Sequence, residues 1–211
     1  MSSEHKKGSV FVVSGPSGAG KSTLAKKAVE FFPDLTFSIS YTTRKPRAGD
    51  VDGVDYHFVS AEEFDKMVES GAFLEYATVH GKSYGTSGVE LSKVIDRGGN
   101  VILDIDVQGA ALIRNALSTG EHGMDAVFIF VLPPSIEECR ERLKKRANLS
   151  EDELSKRMKT AVEEIKRAEE YDFVIVNDGL NEAFCEFQAV IEGKKSETKE
   201  KWAGLKGRYG L

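Results

Sequence analysis

Four stretches of the chain are apolar almost without interruption: SVFVVSG at 9–15, NVILDID at 100–106, AVFIFVL at 126–132 and DFVIVND at 172–178. A strand with one wet face would alternate, whereas a run this continuous predicts strands of a parallel sheet covered on both sides. Between these runs, apolar residues recur at helical spacing over 20–32, 107–117, 135–146, 151–170 and 180–192. Strands alternating with helices of this length make βαβ units with right-handed crossovers, so the expected fold is α/β, a doubly wound parallel sheet.

Two segments break the alternation. Residues 37–86 carry short strand-like pieces, turn signals such as RAGD and VDGVD, and a helix near 61–70, which predicts an inserted lobe. Residues 133–157 are highly charged and helical on either side of ANLSED, where Ser150 and Glu153 have the spacing of a capping box. A charged helical hairpin of this kind is either a solvated surface or a lid. The polar, Gly-containing tail from 193 is expected to be partly disordered. The organisation expected is one domain: a core of 8–36, 87–132 and 158–192, the lobe at 37–86, the lid at 133–157, and the tail.

Composition narrows the classes. The 211 residues are 40% hydrophobic and 30% charged, with net charge −5, ordinary for a soluble globular chain and unsuited to bulk electrostatic binding of nucleic acid. Two cysteines, Cys139 and Cys185, and four scattered histidines give neither a disulfide framework nor a metal-ligand spacing. With no signal peptide or membrane span in the pattern, a reducing, cytoplasmic location is expected, with no membrane partner.

The first strand runs straight into GPSGAGKST and then a helix. Gly15, Pro16, Ser17, Gly18, Ala19, Gly20, Lys21, Ser22 and Thr23 complete the pattern G-x-x-x-x-G-K-[ST] between a strand and a helix. Glycines let backbone N–H groups approach phosphate oxygens, and the helix N-terminus adds positive potential. Lys21 then neutralises the β and γ phosphates and Ser22 helps hold Mg²⁺, so a nucleoside triphosphate and Mg²⁺ are the expected ligands.

In SISYTTRKPRAGDVDGVDYHF at 38–58, Arg44 and Arg47 stand three apart around Pro46, placed to clamp a second phosphate from two directions. Tyr56 and Tyr84 can add hydroxyl donors. Glu75 lies in the apolar stretch FLEYA and needs donors from protein or ligand.

The phosphate loop, S-x-T-T-R-x-P-R at 40–47, DYHF at 55–58, LEYA at 74–77, YGT at 84–86 and ILDIDVQG at 102–109 occur together in an order and spacing that resemble the guanylate kinase family over about residues 8–192. The resemblance implies that Ser40, Glu75 and Thr86 read guanine, while Arg44, Arg47, Tyr56 and Tyr84 hold the GMP phosphate. An ionised Glu75 matches the N1–H and amino donors of guanine, whereas adenine would set a lone pair against it. Its alternative is a structural ion pair. On a strand, Asp104 and Asp106 face the same side. Asp104 suits Mg²⁺ and its waters, and by resemblance Asp106 contacts the guanine amino group; either could instead cap the helix from Val107. Arg142, Arg146 and Arg157 align with the arginines that surround the transferring phosphoryl group, while Arg140 and Arg167 read as solvated. RANLS at 146–150 departs from the family, where a glycine often follows the arginine. Asn177 either meets the adenine of ATP or forms a turn.

The reaction implied is ATP + GMP giving ADP + GDP with Mg²⁺, by a monomer or homo-oligomer. A kinase of another phosphorylated small molecule would share the phosphate loop without needing Ser40 and Glu75. A guanylate kinase-like scaffold module would lack a complete phosphate loop.

Overall fold

A computed structural model of the chain describes residues 7–79, 81–120, 123–146, 150–193 and 199–211. The central parallel sheet has five strands: β1 (Ser9–Ser14), β2 (Leu35–Phe37), β7 (Asn100–Asp104), β8 (Asp125–Leu132) and β9 (Phe173–Val176), in the order β2-β7-β1-β8-β9. The four apolar runs supply four of these strands, and Val10, Val12, Val13, Ile102, Leu103 and Ile129–Leu132 are essentially inaccessible to solvent, as burial on both faces requires. The fifth, β2, was not expected. Its three residues LTF are too short to show a period, and parallel pairing with Asn100–Ile102 of β7 makes it a strand.

By packing, the chain forms two compact units. The first takes in the N-terminal residues to Val10, Asp34–Leu103 and Gln108–Ala126. It holds a second sheet in the order β4-β3-β6-β5, made of β3 (Tyr41–Thr42), β4 (His57–Phe58), β5 (Phe73–Val79) and β6 (Lys82–Ser87). With it are α2 (Ala61–Glu69), α3 (Gly88–Ile95) and most of α4 (Val107–Ser118). Helix α2 starts at a full capping box, Ser60 exchanging bonds with Glu63, and drops Phe64 into the core.

The second unit takes in Phe11–Pro33, Asp104–Val107 and Val127–Leu211. It holds the phosphate loop, α1 (Lys21–Phe31), α5 (Ile136–Arg146), α6 (Glu151–Lys166) with a 3₁₀ turn at Arg167–Glu170, α7 (Leu180–Ile191) and α8 (Lys199–Leu205). Helices α5 and α6 pack through Cys139, Leu143, Leu154, Met158 and Ala161. In the otherwise charged sequence of α5, Cys139 and Leu143 are one helical turn apart and form its buried stripe.

Three expectations are corrected. The tail is helical where it is described: α8 and a 3₁₀ turn at Lys206–Tyr209 bury Trp202, Leu205 and Tyr209 to 3%, 8% and 5% exposure. These three large apolar groups recur at three- and four-residue spacing, which a polar average conceals. Second, β7 ends at Asp104, so Asp104 and Asp106 do not share a strand face; beyond it the Ser14 hydroxyl donates to the Ile105 carbonyl at 3.0 Å, in the turn toward α4. Third, Arg167 is not merely solvated, because it bonds Glu170 through two nitrogens and donates to the Val107 carbonyl at 3.1 Å. No helix among the described residues is long and apolar enough to cross a membrane.

Candidate active site

A phosphate loop works only if its N–H groups point outward, so its carbonyls must point inward and find donors there. Between Gly15 and Gly20, five of the six carbonyls have such donors. Lys21 Nζ donates to Gly15 O at 2.7 Å and to Pro16 O at 3.3 Å. The buried thiol of Cys139 donates to Ser17 O at 3.5 Å. The Asn177 side-chain amide donates to Ala19 O at 2.8 Å, and Leu24 N–H closes the first turn of α1 onto Gly20 O at 3.1 Å.

Two glycines are obligatory. A Cβ on Gly15, at φ +141°, would lie 2.1 Å from the Val131 carbonyl oxygen, and one on Gly20, at φ +90°, would lie 2.2 Å from Asn177 Nδ2. Gly20 caps α1 with no side-chain acceptor, and the first turn, Lys21, Ser22 and Thr23, contains no acidic residue. Its N–H groups and the positive end of the helix are therefore available to an anion. Ser22 Oγ donates to Asp104 Oδ2 at 2.5 Å. A hydroxyl and a carboxylate beside a phosphate site are hard oxygen ligands of the number Mg²⁺ takes from protein when phosphates and waters complete its shell.

The predicted arginines separate. Arg142 on α5 is tied down: Nε donates to Glu138 at 2.8 Å and a terminal nitrogen donates to the Asn177 carbonyl at 3.1 Å. Arg157 is exposed on α6. Arg146 ends α5, and its side chain, like residues 147–149 of the predicted break, lies outside the described residues. Asn177 is 6% exposed, its own N–H bound to Leu132 O at 2.8 Å. Its side chain thus serves the loop's interior.

Two residues that the sequence did not single out, Cys139 and Glu164, belong to this region. Cys139 and the amide of Asn177 brace the loop. Burial pushes the Cys139 thiol up to about 11, with the Glu164 charge adding to the rise, so it is an uncharged donor and not a nucleophile. Glu164 on α6 is raised above the usual carboxylate range by burial, opposed by the Lys21 charge and reinforced by Asp106. Cys139 and Glu164 were findable, since both lie on the same helical stripe as the apolar positions around them.

In the first unit, the second sheet gathers the other set. Glu75 and Thr86 are register partners across β5 and β6, past a bulge between Phe73 and Glu75. Thr86, inaccessible to solvent, donates through Oγ1 to Glu75 Oε1 at 2.7 Å. Ser40 immediately precedes β3, its carbonyl accepting from His57 N–H at 2.9 Å. Tyr84 on β6 pairs with Thr42, and its ring meets that of Tyr56 edge-on at 5.9 Å.

Arg44 is held on three sides. Asp50 takes its guanidinium at 2.9 Å, and the rings of Tyr56 and Phe58 lie 5.2 and 5.4 Å beneath it. The same Asp50 oxygen accepts the Arg47 backbone N–H at 2.7 Å, which, with Arg44, keeps its carboxyl below the usual range. Asp50 is the organiser of this loop, and only its place within a turn hinted at it. The Arg47 side chain itself is exposed.

The chain is similar to known proteins over nearly its whole length. The guanylate kinase family model matches residues 7–194. The guanylate kinase of Caldanaerobacter subterraneus subsp. tengcongensis is 46% identical over 190 residues, 90% of this chain and 89% of its own, and that of Geobacter metallireducens is 45% identical, covering 92% of both chains. A crystal structure of guanylate kinase from Anaplasma phagocytophilum superposes with TM-score 0.71 at 34% identity, over 92% of this chain and 89% of that one. With a complete phosphate loop, a parallel α/β core and a match over nearly its whole length, the chain belongs to the guanylate kinase family.

Proposed function

We propose that the chain is a guanylate kinase, transferring the γ-phosphoryl group of ATP to GMP and, by the same contacts, to dGMP, with Mg²⁺, in the purine nucleotide pool of the cytoplasm. The observation that carries the guanine reading is the bond from Thr86 to Glu75. A carboxylate offers about four acceptor positions; one accepts from Thr86, and guanine supplies N1–H and amino donors for others. Ser40 is assigned to the same base, with Asp106 at its amino group. Arg44, Arg47, Tyr56 and Tyr84 hold the GMP phosphate, with Arg44 pre-positioned by Asp50.

The loop N–H groups and Lys21 hold the β and γ phosphates of ATP, Lys21 exchanging the loop carbonyls for phosphate oxygens. Ser22 and Asp104 would hold Mg²⁺, which when bound screens the negative charge of the phosphates. Arg142, Arg146 and Arg157 neutralise charge on the transferring group. Because the GMP phosphate oxygen attacks, no side-chain nucleophile is required, and the protein contributes alignment and electrostatic stabilisation.

The test is ADP production from ATP with GMP, AMP, CMP, UMP or ribose 1,5-bisphosphate, with and without Mg²⁺, by wild type and Glu75→Gln. Turnover with GMP alone, dependent on Mg²⁺ and reduced at least about 10³-fold by the substitution, is expected, because a polar site rejects mismatched pairing strongly. Equal turnover with AMP, or an unimpaired Glu75→Gln enzyme, would sink the assignment.

A further inference from the structure

The family model ends at residue 194, yet the chain beyond it is well packed where it is described. Within the second unit, three side chains of Lys199–Tyr209 make polar contacts with neighbouring segments. Lys201 pairs with Glu186 of α7 at 2.6 Å, and Lys206 pairs with Glu169, in the 3₁₀ turn after α6, at 2.7 Å. Those two pairs are partly exposed and individually weak. The third attachment is of another kind: the Tyr209 hydroxyl donates to the Pro133 carbonyl at 2.6 Å in a buried setting.

Burial alone would have been met by phenylalanine, so the hydroxyl is the informative atom. Its acceptor stands at a junction. The preceding carbonyl, of Leu132, accepts the Asn177 N–H, and the chain then leaves β8 for α5. Pro134 follows Pro133, restricting its backbone to extended geometry and removing a donor. Ser135 starts the helix, its hydroxyl accepting from Glu138 N–H at 3.1 Å. One turn on, Cys139 reaches Ser17 O of the phosphate loop, and beyond it Arg142 reaches the Asn177 carbonyl. The bond from Tyr209 thus anchors the chain two residues before the Ser135 cap of α5, and α5 contacts the loop through Cys139.

We propose that Tyr209 is a positioning residue for phosphoryl transfer, acting through Pro133 and helix α5 on the geometry of the phosphate loop. This rests on the kinase reading above for its effect on turnover, and on the loop alone for its effect on ATP binding. Burial pushes the phenol up to about 12, which keeps it a donor throughout the neutral range. The Trp202 ring packs beside that of Tyr209, tilted by 35° with centroids 6.0 Å apart.

The experiment compares wild type, Tyr209→Phe and Lys206→Gln, all full length and shown to be folded by circular dichroism at the assay temperature. ATP and GMP affinities are measured separately by calorimetry in Mg²⁺, and kcat and KM by ADP production. Tyr209→Phe is expected to weaken ATP binding and lower kcat/KM for ATP by about 3- to 30-fold, leaving GMP affinity unchanged. Lys206→Gln, which loosens the same segment but keeps the hydroxyl, should bind ATP as wild type does. Unchanged ATP affinity in Tyr209→Phe, equal weakening of both nucleotides, or the same loss in Lys206→Gln would each overturn the proposal. If wild type fails to phosphorylate GMP, the kinase reading falls, and the ATP titration still decides the role of Tyr209.

Discussion

The side-chain amide of Asn177 donates to the carbonyl oxygen of Ala19 at 2.8 Å, across 158 positions of sequence. Removing the amide leaves a buried carbonyl without its donor, which costs about 1–3 kcal/mol. Asn177→Ala should therefore lower the urea midpoint and raise the KM for ATP several-fold, while the KM for GMP stays near wild type. A change in the GMP value alone would contradict the loop-bracing role.

Asp50 makes the corresponding arrangement around Arg44 and Arg47 in the other unit. In Asp50→Asn the ionic partner of Arg44 is lost, although a neutral acceptor remains. The KM for GMP is expected to rise by about 3- to 10-fold, in keeping with a weakened charge-assisted bond, with ATP affinity unaffected. Steady-state kinetics with each nucleotide varied in turn separates these outcomes. Because the Asp50 carboxyl is lowered chiefly by the Arg47 N–H and then by Arg44, the wild-type advantage should be lost as pH falls through its depressed folded value.

Glu164 gives the opposite pH dependence. Burial raises its carboxyl, so in the window above the ordinary carboxylate value the folded protein binds more protons than the unfolded chain. Stability contributed by this group is then full below that value and falls as pH rises through the raised one. Glu164→Gln removes the titration, and should be more stable than wild type at pH 8, with the difference shrinking toward pH 4. Urea unfolding at both pH values reads it; a variant less stable at pH 8 than at pH 4, relative to wild type, would show that the attraction to Lys21 outweighs desolvation.

Much of this was legible in local pattern. The four apolar runs announce strands buried on both faces, and Gly15, Gly20, Lys21 and Ser22 announce a phosphate site because their chemistry is contiguous. Two capping boxes, at Ser60 and Ser150, mark helix starts; only the second was recognised beforehand. The strand β2 was missed because three residues carry no period, and the tail was misjudged because its three buried apolar groups are diluted by lysine and glycine. Arg167 looked solvated because the carbonyl it reaches, on Val107, is 60 positions away.

The sequence by itself determined the class of fold, the family and the atoms that meet phosphate, since these depend on periodicity and on residues adjacent in the chain. Tertiary structure decided what holds those atoms in place. Asn177, Cys139 and Tyr209 contribute one donor each to carbonyls 158, 122 and 76 positions away. Such bonds have no local signature: a buried carbonyl must be satisfied, but which side chain satisfies it depends on which elements the packed core brings within hydrogen-bonding reach.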